Sequence, residues 1–209
     1  MSLPGVKTYI DSTRAPNPRR VKIFMAEKGV EFPIEDVSIM QGEHRARSYL
    51  DRVGAPVVPA LELDDGTVLT ESMSICLYLE GLYPEPNLMG VDALERARID
   101  MWSRRVEFGV MFPVAMVLRH GNPAMAALED QVPEWAEANR GRVLKGLKWL
   151  DRVLGKQAFV AGPRYTIADI TALVAIDFMR AIKTPVPEEM VHLLAWREGL
   201  NARPSTAVK

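Results

Sequence analysis

The stretch VVPALELDDGTVLTES, residues 57–72, contains two short strand patterns, a turn and the start of a helix. Residues 60–63 and 68–70 have the apolar character of strands, and the Asp-Gly pair between them is typical of a tight hairpin. Ser72 is predicted to be the N-cap of the helix that follows. Pro59 stands where the first strand begins. The residues alone favour a trans bond before it, because only about 5–6% of X-Pro bonds in folded proteins are cis.

The residues before this stretch alternate between strand and helix patterns. Residues 6–10 predict a first strand, and residues 30–37 predict a second one, in which Pro33 indicates a sheet edge. The helix between them is predicted to have Asn17 as its N-cap and Pro18 in its first helical position. This order of elements predicts an α/β domain.

The chain after residue 90 is predicted to be helical. Long amphipathic patterns cover roughly residues 92–120, 133–154, 166–182 and 187–200. The third of these begins with a capping-box pattern, Thr166 followed by Asp169. The stretch YPEPNLMG, residues 83–90, precedes them and is predicted to be a linker, because its prolines cannot continue a helix. The fold class expected is therefore an α/β N-terminal domain plus an all-α helical C-terminal domain.

The composition narrows the classes of partner and compartment. The 209 residues include 26 basic and 27 acidic side chains, and a net charge of −1 gives no reason to expect nucleic acid or an anionic membrane as the main partner. No apolar run approaches the roughly 18–20 residues that span a bilayer. The lone Cys76 cannot form an internal disulfide, so a cytoplasmic location is expected. No metal is expected.

A longer stretch around the hairpin, VPALELDDGTVLTESMSICLYLEGLYPEPNLMG, resembles the cytosolic glutathione S-transferases. The resemblance extends to RAPNPRRVKIFMAEKG, GEHRARSYL and YTIADITALVAIDF, so it covers nearly the whole chain. It is similar to bacterial-type members and to the theta, nu and zeta classes. The family implies a thioredoxin-like, glutathione-binding domain at residues 4–83, a linker at 84–90 and an all-helical domain at 91–209.

The resemblance implies that glutathione is the co-substrate, and it assigns residues to bind it. Val58 is expected to offer its main-chain N–H and C=O next to a cis bond to Pro59. Glu71 and Ser72 are expected to hold the ammonium and carboxylate of the γ-glutamyl group at a helix N-terminus. The glycyl carboxylate could meet one of four nearby cations, each of which could equally be a solvated surface charge: His44, Arg45, Arg47 or Arg52. From the residues alone, Ser72 could serve only as a helix cap and Glu71 only as a partner of the helix dipole.

Activation of the glutathione thiol requires a hydrogen-bond donor that stabilises the thiolate. In the family this donor is a Tyr, Ser or Cys near the loop after the first strand. Here Ala15 stands where serine-type members have their serine, and Asn17 stands where cysteine-type members have their cysteine, so the usual catalytic Ser and Cys are both missing. Asn17 is the first candidate, although it could serve only as a helix cap. Ser12, Thr13 and Tyr9 are the alternatives, and Tyr9 is more typical of a packing residue.

The second substrate is expected to be a small apolar electrophile bound along the first long helix of the C-terminal domain. The side chains assigned to it are Trp102, Arg105, Phe108, Met111 and Phe112. A stripe of aromatic and methionine side chains at helical spacing is also what a helix buries in a core, and the residues alone leave both interpretations open.

The sequence therefore predicts a glutathione transferase that conjugates the glutathione thiolate to apolar electrophiles, with glutathione-dependent peroxidase activity as a further possibility. The alternative is a glutathione- or ligand-binding protein of the same fold with little or no catalysis. A third interpretation, an interaction module, is less favoured. The family resemblance also implies a homodimer, in which the hairpin and following helix of one subunit contact the first C-terminal helices of the other.

Overall fold

A computed structural model describes residues 5–13 and 15–208, and these residues form one four-stranded sheet and eight α-helices. The chain divides into two compact units. The first unit contains the residues up to Asn87 together with the last few from Ala207, and the second contains Leu88–Thr206. Over the described ranges, no helix is both long enough and apolar enough to cross a membrane.

The sheet of the first unit has the strand order β2-β1-β3-β4. Its strands are β1 (Val6–Asp11), β2 (Ile34–Asp36), β3 (Ala60–Leu63) and β4 (Val68–Thr70). β1 pairs parallel with β2 and antiparallel with β3, and β3 forms the predicted hairpin with β4. β2 is an edge strand but is shorter than predicted. It follows Pro33, which has no N–H to donate and whose carbonyl oxygen accepts the Tyr9 N–H at 2.8 Å.

The helices of the first unit are α1 (Pro16–Lys28), α2 (Arg47–Val53) and α3 (Ser72–Leu82). The predicted start of α1 is wrong, because its N-cap is Ala15 rather than Asn17. A proline suits the first helical position, where no N–H is needed, and Pro16 takes that position two residues before Pro18. The Ala15 carbonyl oxygen accepts the Arg19 N–H at 3.2 Å, which closes the first turn.

The predicted start of α3 is also wrong by one residue. Ser72 is the first helical residue, and Glu71 is the N-cap, with a left-handed backbone at φ 65°. The Glu71 carbonyl oxygen accepts the Ile75 N–H at 3.0 Å, so the helical hydrogen bonds begin one residue earlier than the serine would suggest. No side chain caps this helix.

The second unit is helical, as predicted. Its helices are α4 (Ala93–Val106), α5 (Phe112–Gly121), α6 (Pro133–Leu154), α7 (Ile167–Phe178) and α8 (Val191–Asn201). The first ten residues of α7 are all buried, so this helix forms the core of the unit. Its capping box is confirmed: the Thr166 hydroxyl accepts the Ala168 N–H at 3.3 Å, and the Asp169 carboxylate accepts the Thr166 N–H at 3.0 Å.

One long helix was expected over residues 92–120, but α4 and α5 are instead joined by a π-helical turn, Glu107–Met111. Gly109 in this turn faces Gly146 of α6, and a Cβ added to Gly146 would collide with the Gly109 carbonyl oxygen. The π-turn and α6 can therefore pack this closely only because residue 146 is a glycine. The π-turn changes which residues share a face of the helix.

Candidate functional site

Val58, assigned by resemblance to the glutathione main chain, lies just before β3. The bond between Val58 and Pro59 is cis, as the resemblance implied. Among the residues that the structure describes, none bonds to the Val58 N–H or C=O. The neighbouring Val57 carbonyl oxygen, by contrast, accepts the Tyr49 hydroxyl at 2.5 Å. The Val58 main chain therefore has a donor and an acceptor available for an extended ligand, which is the way that peptides add to a strand.

Glu71 and Ser72 lie at the N-terminus of α3, in the same unit. The first N–H groups of a helix have no partner within the helix, and together with the helix dipole they favour an anion. The Glu71 side chain is exposed, whereas Ser72 is only 4% exposed. The Ser72 hydroxyl oxygen accepts a hydrogen bond from Arg20 Nη1 at 3.0 Å. This helix start therefore combines a carboxylate, a hydroxyl and free N–H groups.

His44 lies in a short 3₁₀ turn, Glu43–Arg45, and is 7% exposed. Its Nδ1 atom is buried and has no hydrogen-bond partner among the described residues. Burial lowers the pKa of His44, and the nearby positive charge of Arg45 lowers it further. The imidazole is therefore neutral at pH 7, so it can meet a carboxylate as a hydrogen-bond donor rather than as a cation.

Two arginines near His44 are already in ion pairs. Arg47 pairs with Asp51 at 2.9 Å on the surface of α2. Arg52 pairs with Glu35 at 2.8 Å and with Glu62 at 2.6 Å. Binding of a ligand carboxylate by Arg47 or Arg52 would have to compete with these acids, so His44 and the exposed Arg45 are the candidates outside these ion pairs.

Two of the four predicted thiol-activating side chains are engaged by the fold. Tyr9 is fully buried, its hydroxyl donates to the Pro18 carbonyl oxygen at 2.9 Å, and burial raises its pKa well above 10.0. Thr13 gives both its N–H and its hydroxyl to the Asp36 carboxylate, each at 2.8 Å. Tyr9 is therefore a packing residue, and Thr13 holds the loop to β2.

Asn17 and Ser12 are the other two candidates. Neither side chain has a hydrogen-bond partner among the described residues, and Asn17 is exposed in the first turn of α1. Pro16 and Pro18 carry no N–H, so Asn17 supplies the free main-chain donor at the start of this helix. The first turn contains no acidic residue that would oppose an anion. The N-terminus of α1 can therefore offer the Asn17 amide and N–H to a thiolate.

Cys76, the lone cysteine, lies inside α3 and is fully buried. Burial raises the pKa of its thiol to about 12, against the smaller opposing effect of the Arg20 charge. The thiolate is the reactive form of cysteine, so this thiol is not a nucleophile at neutral pH.

Four of the five side chains assigned to the electrophile are exposed or half-buried in the second unit, and the fifth, Met111, is buried. Trp102 stacks on Trp149 of α6 with ring centroids 5.8 Å apart, and the Arg105 guanidinium lies 5.1 Å from the Trp102 ring. Trp102 and Trp149 line a cavity of about 390 Å³. Phe108 and Phe112 are 67% and 45% exposed.

Met111 is the exception in this set, because it is only 8% exposed. In a continuous α-helix, residues three apart lie on the same side, so Met111 would accompany Phe108. The π-turn between α4 and α5 includes both residues and rotates Met111 towards the core. The sequence offered no sign of this turn, whose Gly109 packs closely against Gly146 of α6.

Arg20 is a residue that the sequence interpretation missed. It was part of a charged Pro-Arg-Arg run and was not assigned to the site. The helical period did contain a signal, because Arg20 lies three and four residues before the buried Ile23 and Phe24 and so falls on the inward face of α1.

The comparisons with known proteins agree with this architecture. Two family descriptions match: "Glutathione S-transferase, N-terminal domain" at residues 15–82 and "Glutathione S-transferase, C-terminal domain" at residues 133–202. A crystal structure of a glutathione S-transferase domain-containing protein from Marinobacter aquaeolei VT8 superposes with a TM-score of 0.90 at 36% identity, and covers 95% of this chain and 99% of that one. The fold is therefore the glutathione S-transferase fold.

Sequence relatives identify the family. Glutathione S-transferase 2 of Saccharomyces cerevisiae is 35% identical over 199 residues, which are 93% of this chain and 85% of the yeast protein. Human glutathione S-transferase theta-2 is 30% identical over 95% of this chain and 81% of its own length. The chain belongs to the glutathione S-transferase family, a family of transferase enzymes.

Proposed function

We propose that this protein is a glutathione transferase that binds glutathione in its first unit and adds the glutathione sulfur to small apolar electrophiles. The observation that carries the proposal is the unpaired Val58 main chain in a unit whose α3 helix starts with Glu71 and Ser72. The Val58 N–H and C=O pair with the cysteinyl main chain of glutathione in the manner of an added strand.

The charged ends of glutathione require different partners. At the γ-glutamyl end, the Ser72 hydroxyl and the free N–H groups of α3 bind the carboxylate, and the exposed Glu71 carboxylate binds the ammonium. At the glycyl end, His44 donates a hydrogen bond to the carboxylate. The ion pairs that already engage Arg47 and Arg52 support this assignment.

The N-terminus of α1 lowers the pKa of the bound thiol. A free thiol has a pKa near ~8.5, and hydrogen-bond donors together with a positive helix end stabilise its thiolate. Asn17 is the first donor, through its side-chain amide and N–H, and Ser12 is the second. The engagement of Tyr9 and Thr13 elsewhere supports this choice.

The electrophile binds along α4 and α5. Trp102, Arg105, Phe108 and Phe112 offer aromatic and cationic surface, while Met111 supports it from the core. The thiolate attacks the electrophilic carbon, the leaving group departs with the bonding electrons, and the thiol proton passes to solvent. A hydroperoxide presents an electrophilic oxygen to the same thiolate, so peroxidase activity is the further activity that we test.

The experiment is a steady-state assay of the purified protein with glutathione and a chloronitrobenzene, and then with an organic hydroperoxide. Saturable turnover that requires glutathione supports the proposal. Absence of turnover across such substrates, in protein that binds glutathione by calorimetric titration, contradicts it. That outcome would favour the alternative, a glutathione-binding protein with little catalysis, which the replacement of the usual catalytic residue by Ala15 and Asn17 motivates.

We also propose that the protein forms a homodimer. Leu77 on α3 and Leu94, Met101 and Leu144 on α4 and α6 are exposed apolar side chains. Apolar contact between copies would remove them from water. Light scattering with size-exclusion chromatography at micromolar concentration measures the mass, and a monomer mass would contradict the proposal. The cytoplasmic location stays a prediction.

A further inference from the structure

Arg20 is a buried cation linked to the helix start that we assign to glutathione. Its side chain is 1% exposed, and it lies on α1 where this helix packs against α3. Arg20 Nη1 donates to the Ser72 hydroxyl oxygen at 3.0 Å, and both atoms are buried. The Arg20 charge therefore lies beneath the first turn of α3.

The hydrogen bond from Arg20 restricts what the Ser72 hydroxyl can do. A serine hydroxyl has one proton to donate and two lone pairs that accept, whereas a guanidinium has donors and no acceptor. Ser72 must therefore accept from Arg20 and cannot give its proton back to it. The proton stays available on another side of the oxygen, and the charge-assisted bond that the oxygen accepts makes the O–H a stronger donor.

We propose that Arg20 is a positioning residue for the γ-glutamyl carboxylate of glutathione, through its hydrogen bond to Ser72. It holds the Ser72 oxygen with its proton free for the carboxylate. The inference rests on the proposed function, because it assumes that glutathione binds at the start of α3.

A purely structural role for Arg20, which would only tie α1 to α3, gives a different expectation. Loss of such a structural contact would weaken the binding of every ligand of the first unit to a similar extent. Loss of a positioning residue for one carboxylate would weaken only ligands that have that carboxylate. A ligand pair that differs in this group separates the two roles.

The experiment is a calorimetric titration with glutathione and with γ-aminobutyryl-cysteinyl-glycine, which lacks the γ-glutamyl carboxylate. We expect Arg20→Met to weaken glutathione binding roughly tenfold, the size of one charge-assisted hydrogen bond, and to leave the binding of the analogue within about twofold. In the Ser72→Ala background, Arg20→Met should add little further loss, because the hydrogen bond that it removes is already absent. Arg20→Lys, which keeps the charge and a donor, should restore part of the glutathione affinity.

The matched control is Arg19→Met on the same helix, since Arg19 Nε contacts the Val208 carbonyl oxygen and not Ser72. This variant should bind both ligands as the wild type does. Equal weakening of both ligands by Arg20→Met, or a full additional loss in the Ser72→Ala background, would overturn the inference. If Arg20→Met does not fold, the ratio of the two dissociation constants in Arg20→Lys decides, and an unchanged ratio overturns it. Failure of the wild type to bind glutathione is a separate result, which overturns the proposed function itself.

Discussion

Helices α3 and α7 both start beside a hydroxyl side chain, yet they use it differently. At α7, the Thr166 hydroxyl and the Asp169 carboxylate accept N–H groups of their own segment, so the helix start is closed. At α3, no side chain caps the helix, and the Ser72 hydroxyl instead accepts from Arg20 of another helix. The closed start stabilises a core helix, whereas the open start leaves its donors for the glutathione carboxylate that we propose to bind there.

The N-terminus of α1 is a third case. It also lacks a side-chain cap, but Pro16 and Pro18 remove two of the donors that a helix start normally has. The donors that remain at this helix start are the main-chain N–H and the side-chain amide of Asn17. We therefore expect α3 to contribute most of the binding free energy of glutathione and α1 to contribute mainly to the ionisation of its thiol.

The largest expected effect is on the closed start of α7. Asp169→Ala removes the acceptor of the Val160 N–H at 2.8 Å and of Trp196 Nε1 at 3.2 Å, and leaves buried donors without a partner. The free energy of unfolding should fall by about 2–4 kcal/mol. Chemical denaturation followed by fluorescence measures this loss. A loss no greater than that of a surface substitution would show that the closed start is not a source of stability.

The next effect separates the two hydroxyl groups. Ser72→Ala should weaken glutathione binding roughly tenfold or more, because a charge-assisted hydrogen bond contributes about 1.5–3 kcal/mol. Thr166→Ala should instead lower the free energy of unfolding by about 1 kcal/mol, the usual value of an N-cap. Calorimetric titration and denaturation of both variants test the pair. The contrast between the two helix starts would be wrong if Thr166→Ala weakened glutathione binding as much as Ser72→Ala does.

A smaller effect is expected at α1. Asn17→Ala should lower kcat several-fold at neutral pH and raise the pKa of the bound glutathione thiol, while the dissociation constant of glutathione stays nearly the same. The ultraviolet absorbance of the bound thiolate against pH measures this pKa. Thr13→Val is the control, because the Thr13 hydroxyl is held by Asp36. An unchanged thiolate pKa in Asn17→Ala would exclude the Asn17 side-chain amide as the activating group.

The smallest effect concerns pH and His44. Burial holds the pKa of His44 below 6.5, so protonation begins only in acidic solution. A ligand carboxylate beside the imidazole favours the protonated form, so glutathione binding takes up a proton there and its affinity should rise a few-fold as the pH falls from about 7 to about 5. Titrations at several pH values test this, and the glutathione affinity of the His44→Gln variant should not change over the same pH range. A flat wild-type profile would argue against contact between His44 and the glycyl carboxylate.

Local sequence chemistry was sufficient for some elements and not for others. The β3–β4 hairpin and the capping box at Thr166 were predicted because a turn pair or a cap is fixed by residues a few positions apart. The start of α1 was predicted two residues late, because Asn17 and Pro16 both favour a helix start and the sequence does not rank them. Arg20 contacts Ser72, and the π-turn packs against Gly146, and both contacts join residues that are distant in sequence.

The burial of Cys76 has a practical consequence. A protein that handles glutathione meets oxidised glutathione as well, and an exposed thiol would exchange with it to form a mixed disulfide. The Cys76 thiol is fully buried inside α3, so the folded protein does not take part in this exchange. The same thiol reacts once α3 opens, and its rate of labelling by a maleimide therefore reports how often α3 opens in the native protein.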